Sequence, residues 1–249
     1  MNMPAHRGFT IIEVMLFLAI SGLLIAMLLG GWNLLINTQR YKDSVDTVYG
    51  YFQDQYNLVY NVENERGTSL TCTADGRIVE NGGASVDSRG QSDCVLMGRF
   101  IKLTEGTKLQ SYAVVGRKPV SPVSGGDTEQ IKDYNPTVVG QEIGLTEAEQ
   151  MVPWGAALNR PHSTNPLSAT ILLLRSPASG VVHRYVVDGA REGTVIKDSD
   201  IATENESQDS EFCFDAGAIV QGGKQAVVIR KYASSRNSVE TLGGSDNGC

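Results

Sequence analysis

The sequence is poor in the residues and motifs from which metal sites and active sites are usually built. Its 249 residues include only three histidines, His6, His162 and His183, and four cysteines. No CxxC, HExxH or clustered His/Cys spacing is present, which removes the common zinc signatures. A Gly-x-Ser-x-Gly elbow, a phosphate-binding loop and a paired-carboxylate spacing are also missing. We therefore expect no enzyme, no metal and no other cofactor.

The residues that could still suggest acid–base chemistry have simpler interpretations. His183 lies within a strand-like stretch and is expected to face solvent, whereas His162 is expected to lie in a loop. Asp188 is followed directly by glycine, which predicts a turn rather than a catalytic acid.

Positive charge is also in deficit. The chain has 21 Lys and Arg against 28 Asp and Glu, a formal net charge of -7 and a sequence pI near 5.0. Such a surface repels nucleic acid, so no specific nucleic-acid partner is indicated. With 41% hydrophobic residues, the chain can bury the core of one ordinary domain and still carry an appended element.

The four cysteines are Cys72, Cys94, Cys213 and Cys249. An even count without metal-ligand spacing predicts two disulfides, and these require an oxidising compartment. The alternative is four buried thiols in a cytosolic domain. Four cysteines permit three connectivities, and proximity along the chain favours Cys72 with Cys94 and Cys213 with Cys249.

A long uncharged segment follows a single carboxylate near the N-terminus. No charged residue occurs from Val14 to Gln39, and Val14 to Ile36 as a helix would be about 35 Å long. That length crosses a hydrocarbon core of roughly 30 Å. A secretory signal peptide explains neither the length nor Glu13, and a simple signal anchor leaves Glu13 unexplained. A carboxylate in a membrane segment requires a partner, from another chain, from lipid or from a new amine.

The residues around Glu13 suggest where that amine would come from. Arg7, Gly8, Phe9 and Thr10, then Glu13 and about twenty mostly apolar residues, resemble the class III signal of type IV pilins and pseudopilins. The resemblance covers about residues 5–40. It implies that a membrane prepilin peptidase removes residues 1–8 as a leader, cleaving between Gly8 and Phe9, and methylates the new N-terminal Phe9. It also places Glu13 at the fifth mature position.

The glycines in the apolar segment leave two interpretations open. The resemblance places Gly30 where many type IV pilins have a helix-breaking proline, and Gly30 with Gly31 could loosen the helix, because each glycine costs up to about 1 kcal/mol of helix propensity. Alternatively, Gly22, Gly30 and Gly31 permit close contact between helices.

Beyond residue 36 the apolar residues become periodic. Spacings of three and four predict an amphipathic continuation of the helix over residues 37–66, with a head-facing stripe formed by Val45, Val48, Tyr49, Phe52, Tyr56, Val59 and Tyr60. Without a proline between Phe9 and Val62, residues 9–36 and 37–66 can form one helix whose lower half spans the membrane.

Residues 67–249 are predicted to form a β-rich globular head. Strands are expected at 77–80, 94–103, 108–116, 170–175, 181–187, 211–214, 226–231 and 238–242. Because they follow one another without long helices, the sheet should be antiparallel, either two-layered or strongly curved. The fold class is α+β, with the long N-terminal helix packed on this head.

A proline-rich segment at about 117–168 interrupts the strands. We interpret it as a large surface excursion, with a short helix at Thr146 to Met151 indicated by a capping-box pattern. The excursion is a candidate for partner contacts, although a packed insertion fits equally.

Residues 211–232, EFCFDAGAIVQGGKQAVVIRKY, look like the C-terminal part of minor pseudopilins with a paired-sheet head. Only about the last forty residues carry this second resemblance.

Together, the resemblances imply a structural subunit, of the minor class, of a type IV pilus (fimbrium) or a type II secretion-like pseudopilus, assembled through Glu13 and the new N-terminus at Phe9. Expected partners are the membrane, the prepilin peptidase, other pilin or pseudopilin subunits and the assembly platform. The protein would cross the cytoplasmic (inner) membrane once with its head outside the cytoplasm, and then enter the filament. A tip-located, adhesive or DNA-binding subunit, or a plain signal-anchored binding module, is the alternative.

Overall fold

The structure is a computed structural model that describes residues 10–61, 70–72, 78–80, 94–121, 125–139, 148–193, 195–215, 224–243 and 249. The described residues contain two α-helices, α1 (Ile11–Tyr60) and α2 (Asp127–Asp133). The strands are β1 (Leu70–Cys72), β2 (Ile78–Glu80), β3 (Cys94–Thr104), β4 (Lys108–Arg117), β5 (Thr137–Val139), β6 (Ala148–Met151), β7 (Ala157–Asn159), β8 (Ala169–Arg175), β9 (Val182–Asp188), β10 (Ser210–Asp215), β11 (Gln225–Ile229) and β12 (Val239–Gly243). Short 3₁₀ turns occur at Pro153–Gly155, Thr203–Asn205 and Arg236–Ser238.

Helix α1 is continuous over 50 residues, a length of about 75 Å. Thr10 caps its N-terminus, and the backbone N–H of Asn61 bonds to Asn57 O at its end. The predicted single helix is therefore present from Ile11. It ends at Tyr60 rather than at residue 66, and residues 62–69 lie outside the described residues.

The upper part of α1 packs on the head through one face. Fully or nearly fully buried side chains recur there at helical spacing: Tyr41, Val45, Val48, Tyr51, Phe52, Tyr56 and Val59. Of the predicted stripe, Tyr49 is only partly buried and Tyr60 is exposed, whereas Tyr41 and Tyr51 are additional members. The 3.6-residue period thus identified the face, but not its edges.

The larger sheet has six antiparallel strands in the order β5-β4-β3-β8-β9, with β6 also paired to β4. Its centre is the long hairpin of β3 and β4, joined by a turn that contains Gly106. Gly106 has a φ of +66°, and a Cβ there would lie 2.3 Å from Leu158 O. Glycine is therefore required by both the backbone conformation and the close approach.

A smaller sheet has four antiparallel strands in the order β12-β11-β10-β7. One core joins the buried face of α1 to side chains of both sheets, including Ile101 of β3, Ile171 of β8, Phe212 of β10 and Val227 of β11. Strands β1 and β2 form a separate antiparallel pair. The predicted α+β fold, with a long helix packed on a two-sheet antiparallel head, is confirmed.

The opposite face of the six-stranded sheet is also covered. A second core lies between that face and α2 with residues 196–201, and its members include Phe100, Leu172, Tyr185, Ile131 and Ile201. Near-continuous burial along β8 follows from this arrangement, since a strand covered on both faces needs apolar residues at successive positions.

The eight strands predicted from sequence are all present, with boundaries shifted by a few residues. Of the two interpretations of residues 117–168, the described part supports the packed insertion, and the surface excursion is wrong there. This segment supplies α2, β5, β6 and β7, and its Val152, Leu158 and Leu167 lie in the main core. The short helix expected at Thr146 to Met151 is also wrong, because residues Ala148–Met151 pair with β4 as a strand.

Candidate processing and assembly site

The N-terminus of α1 is built around Thr10 and Glu13. The backbone N–H of Glu13 donates to Thr10 O at 3.1 Å and to Thr10 Oγ1 at 3.4 Å. Thr10 is therefore an N-cap that satisfies an N–H group left free by the first turn. The Glu13 side chain lies in that first turn, where a negative charge is favoured by the helix dipole.

The helix beyond Glu13 exposes apolar side chains on every side. Residues Ile11–Leu29 form a 19-residue segment that is long and apolar enough to cross a membrane, and none of it is buried by the rest of the chain. Exposed apolar side chains continue to Leu35, which is 71% exposed. A surface this apolar requires lipid or other apolar helices around it.

Glu13 is the acidic exception at the start of this surface. Among the residues that the structure describes, no side chain forms a hydrogen bond or an ion pair with its carboxylate. Gly8 and Phe9 lie outside the described residues, so cleavage between them and methylation of Phe9 stay predictions. The structure places a carboxylate in the first helical turn, at the fifth residue after the predicted cleavage site.

The glycines do not break the helix. The α-helical assignment runs through Gly22, Gly30 and Gly31 without interruption. A Cβ added at Gly22 would have nothing within 4 Å, so in the isolated chain this glycine is not required by an internal contact.

Hydrogen bonds attach the upper half of α1 to the head at several heights. Tyr41 Oη accepts from Gln225 N at 2.7 Å, Ser44 Oγ donates to Pro153 O at 3.0 Å, and Tyr56 Oη donates to Ala233 O at 3.3 Å. Gln55 Oε1 accepts from the hydroxyl of buried Ser111 on β4. Burial raises the pKa of the Tyr41 and Tyr56 hydroxyls, which keeps them neutral donors and acceptors. The upper half of α1 is therefore attached to the head at several positions along its length.

The head also contains a polar cluster that the sequence did not reveal. His183 is not a solvent-facing strand residue: its side chain is 16% exposed and lies between two carboxylates. His183 Nε2 is 3.2 Å from Asp127 Oδ2 at the start of α2, and its Nδ1 is 3.0 Å from Glu206 Oε1. These three residues come from distant parts of the chain, and no local spacing could have indicated their contact.

Electrostatics in this cluster favour a charged imidazole. The hydrogen bond that His183 donates to Glu206 raises the pKa of His183, assisted by Asp127 and opposed by burial. Bonds from Ser179 and Ser176, together with His183, lower the pKa of Asp127. Since both serine hydroxyls donate to Asp127, at 2.7 and 2.9 Å, they are not placed as nucleophiles activated by the histidine. The cluster joins α2, β9 and the turn before β10.

The neighbouring Arg184 points to the other side of β9 and is fully buried. Its guanidinium donates to Ser210 Oγ at 2.6 Å and to the carbonyl oxygens of Gln208 and Glu206 at 2.6 and 3.0 Å. Burial lowers its pKa. Ser210 Oγ satisfies Nη1 and the two carbonyl oxygens satisfy Nη2, whereas Nε has no hydrogen-bond partner among the described residues. Arg184 therefore holds the segment before β10 against β9.

The C-terminus is fastened by the Cys213–Cys249 disulfide, with a Cα–Cα distance of 5.6 Å. This is one of the two pairings that proximity favours. Cys94 is also disulfide-bonded. The side chain of Cys72 lies outside the described residues, so the pairing of Cys72 with Cys94 stays a prediction.

The expected turn and loop assignments around β9 are confirmed. Asp188 ends β9 before Gly189, whose φ is +84°, and its carboxylate pairs with Arg160 at 3.1 Å. His162 lies in an exposed turn with a φ of +55°. In the described part of the chain, no group of three or more His, Cys, Asp or Glu side chains is arranged to hold a metal ion.

Comparison with known families identifies the N-terminal segment. Residues 3–29 match the family described as "Prokaryotic N-terminal methylation motif". No curated protein and no solved structure matches the chain significantly. The motif supports a type IV pilin-like structural subunit rather than an enzyme, and with the apolar helix it supports a membrane-anchored protein processed by a prepilin peptidase. At residues 3–29, ahead of the head domain, the chain therefore carries the prepilin signal of type IV pilins and pseudopilins.

Proposed function

We propose that this chain is a structural subunit, and a minor one, of a type IV pilus or of a type II secretion-like pseudopilus. In this proposal residues 1–8 are removed, Phe9 becomes a methylated N-terminus, and Glu13 directs assembly. The chain crosses the cytoplasmic membrane once before assembly, with its head outside the cytoplasm. The observation that carries the proposal is an acidic side chain in the first turn of a fully exposed apolar helix, inside a methylation motif.

The energetic reason begins with the membrane. A carboxylate inside a membrane helix costs up to about 2.5–3.5 kcal/mol at the bilayer centre, and less near an interface. Glu13 lies at the end of its helix, so this cost is moderate and is removed when a cation comes within hydrogen-bonding distance. Cleavage after Gly8 creates such a cation, the Phe9 amine, four residues before Glu13 in the chain.

Docking of one subunit on another would then replace an unpartnered carboxylate by a charge-assisted hydrogen bond. Bonds of this kind contribute about 1.5–3 kcal/mol. Because the pair can form only when two helices have one axial offset, it selects the register as well as favouring association. The exposed apolar side chains from Ile11 to Ile36 then pack against those of neighbouring helices.

The head would follow the helix into the filament. Hydrogen bonds at Tyr41, Ser44 and Tyr56 fix the head on the upper half of α1, so the offset chosen at Glu13 determines the position of the head on the filament surface. The two-sheet head and the hairpin of β10 and β11, which looks like that of minor pseudopilins, favour a minor subunit.

The test compares Glu13→Gln and Glu13→Leu with Asp46→Asn, a control that removes an exposed carboxylate from the same helix above the apolar segment. We expect both Glu13 variants to reach the membrane and be processed, but to enter sheared filaments about 10- to 150-fold less than the wild type, as loss of about 1.5–3 kcal/mol requires. Asp46→Asn should assemble normally. Normal assembly of Glu13→Leu would contradict the proposal.

Immunogold labelling of filaments tests the class of subunit. Sparse label along the shaft supports a minor structural subunit. Label confined to the tip would instead support the tip-located binding subunit. Label on the cell surface but on no filament would support the signal-anchored module.

A further inference from the structure

The turn Pro153–Gly155 presents an exposed tryptophan on the head. Trp154 is 61% exposed, and Met151 just before the turn is 53% exposed. Trp154 has a φ of +60° and Gly155 a φ of +71°. A bulky residue is uncommon in the left-handed region, and such conformations are concentrated at functional positions. This backbone directs the indole away from the core into which Val152 and Ala156 on either side are buried.

The turn is attached to α1 at a defined height. Pro153 O accepts a hydrogen bond from Ser44 Oγ at 3.0 Å. One turn lower on the helix, the guanidinium carbon of Arg40 lies 4.9 Å from the centre of the Trp154 ring. Trp154 is therefore at the level of Arg40, at the end of the head nearest the apolar part of α1.

Arg40 is also the first charged residue after Glu13. The exposed apolar surface of α1 continues to Ile36, so Arg40 follows about 6 Å beyond its end. The polar headgroup layer on each side of a hydrocarbon core is about 5–7 Å thick. Glu13 and Arg40 are separated by about 40 Å of helix, which is close to the full thickness of a bilayer with its headgroups. With Glu13 in the inner headgroup layer, this separation places Arg40, and Trp154 beside it, in the outer headgroup layer.

The chemistry of the patch suits that layer. Tryptophan is enriched at membrane interfaces because its ring is apolar and its N–H is a hydrogen-bond donor. A guanidinium binds phosphate oxygens through its fixed set of N–H donors. Lys42 adds a second exposed cation two residues farther on, and the nearby Glu149 is already paired with Lys108 at 3.0 Å.

We propose that the Pro153–Gly155 turn is a membrane-interface anchor. Trp154 inserts at the boundary between lipid headgroups and acyl chains, Arg40 binds a lipid phosphate beside it, and together they hold the head against the outer surface of the bilayer until the subunit leaves the membrane. This inference rests on the membrane span of α1 and not on the docking role of Glu13. The competing occupant of the patch is a second copy of the chain in the filament.

Tryptophan fluorescence tests this directly, because Trp32 and Trp154 are the only tryptophans in the chain. Full-length Trp32→Phe protein, which retains Trp154 alone, is reconstituted in vesicles of phosphatidylcholine and phosphatidylglycerol at a subunit density too low for assembly. Brominated lipids then measure the depth of Trp154, and acrylamide measures its exposure to water. A Trp154→Phe variant reports on Trp32 and hence on insertion of the helix.

A matched control places the tryptophan at the other end of the head. Strand β4 begins beside Met151, and its Ser111 bonds to Gln55, farther along α1 than Ser44, so the strand leads away from the membrane. Val120 follows the far end of β4 and is 98% exposed. The control combines V120W with W32F and W154F.

We expect bromine near the headgroup end of the acyl chains to quench Trp154 strongly. Acrylamide should quench it about threefold less than the tryptophan of the V120W control, as for an interfacial ring. The inference is overturned if Trp154 in vesicles is as accessible to acrylamide as the control. In that case, quenching of Trp32 by brominated lipids would still support insertion of the helix in the membrane. A lack of Trp32 quenching would contradict the membrane span as well. Protection of Trp154 only at densities where subunits associate would assign the patch to a second copy and also overturn the inference.

Discussion

Substitution of His183 by glutamine should destabilise the head strongly in acid and weakly in alkali. The imidazole is 3.0 Å from Glu206 and 3.2 Å from Asp127, with only 16% of its side chain exposed. A hydrogen bond to a charged group contributes about 1.5–3 kcal/mol, and glutamine retains neutral hydrogen bonding. We therefore expect His183→Gln to lower the free energy of unfolding by about 2–4 kcal/mol when His183 is protonated.

The direction of the pH dependence follows from the pKa of His183. Glu206 above all, and then Asp127, raise it above the ordinary value of about 6.5. The stabilisation from a raised pKa is fully present below the pKa of the unfolded chain and is lost as the pH rises through that of the folded protein. Asp127 has a lowered pKa, so its contribution is present above its unfolded pKa and is lost only when the pH falls through the folded value, well into acid.

The measurement is urea unfolding of the full-length protein in detergent, followed by near-ultraviolet circular dichroism, at about pH 5.5 and about pH 9 on either side of the ordinary histidine pKa. Wild type and His183→Gln should differ by the full amount at the lower pH and by much less at the higher pH. Asp46→Asn is the control, because it alters an exposed charge on α1. An equal difference at both pH values would refute the reasoning, since it would show that the imidazole stabilises the head only by packing.

Two further predictions concern the packing of the helix on the head and the attachment of the C-terminus. Phe52 is fully buried on α1, with its ring 5.3 Å from that of Phe212, so Phe52→Ala should lower the free energy of unfolding by about 3–5 kcal/mol. Hydrogen exchange should show α1 separating from the sheets, and unchanged protection of residues 41–59 would contradict this. The Cys213–Cys249 disulfide closes a loop of 36 residues, so the double substitution to serine should cost about 3–4 kcal/mol in the same unfolding experiment. A cost below 1 kcal/mol would show that the C-terminus is held by other contacts.

The strands and the long helix could be predicted because their signals are local. Alternation or short apolar runs identified β8 and β9, and the three-and-four spacing identified the buried face of α1. The N-terminal motif could also be recognised, because it lies in one contiguous segment and requires particular residue types at particular positions. Each of these signals depends on neighbours within a few positions along the chain.

The missed features depend on contacts between distant segments. Thr146 and Glu149 have the spacing of a capping box, which favours a helix. Pairing with Lys108 to Ser111 instead satisfies the backbone of Ala148–Met151 as a strand. His183 follows the alternation of an edge strand, yet α2 and the turn at Thr203–Asn205 cover its face with Asp127 and Glu206. The contact of Arg40 with Trp154 likewise joins residues that no spacing relates. Sequence periodicity tells which side of a strand is polar, but not what the fold places against it.

The central claim is that processing creates the amine that pairs with Glu13. The intact mass of the protein extracted from the membrane of its host tests it most directly. We predict a chain that has lost Met1 to Gly8 and gained one methyl group at Phe9. A mass that retains residues 1–8 would contradict the account, because without cleavage no amine would lie beside the carboxylate at the end of the apolar helix.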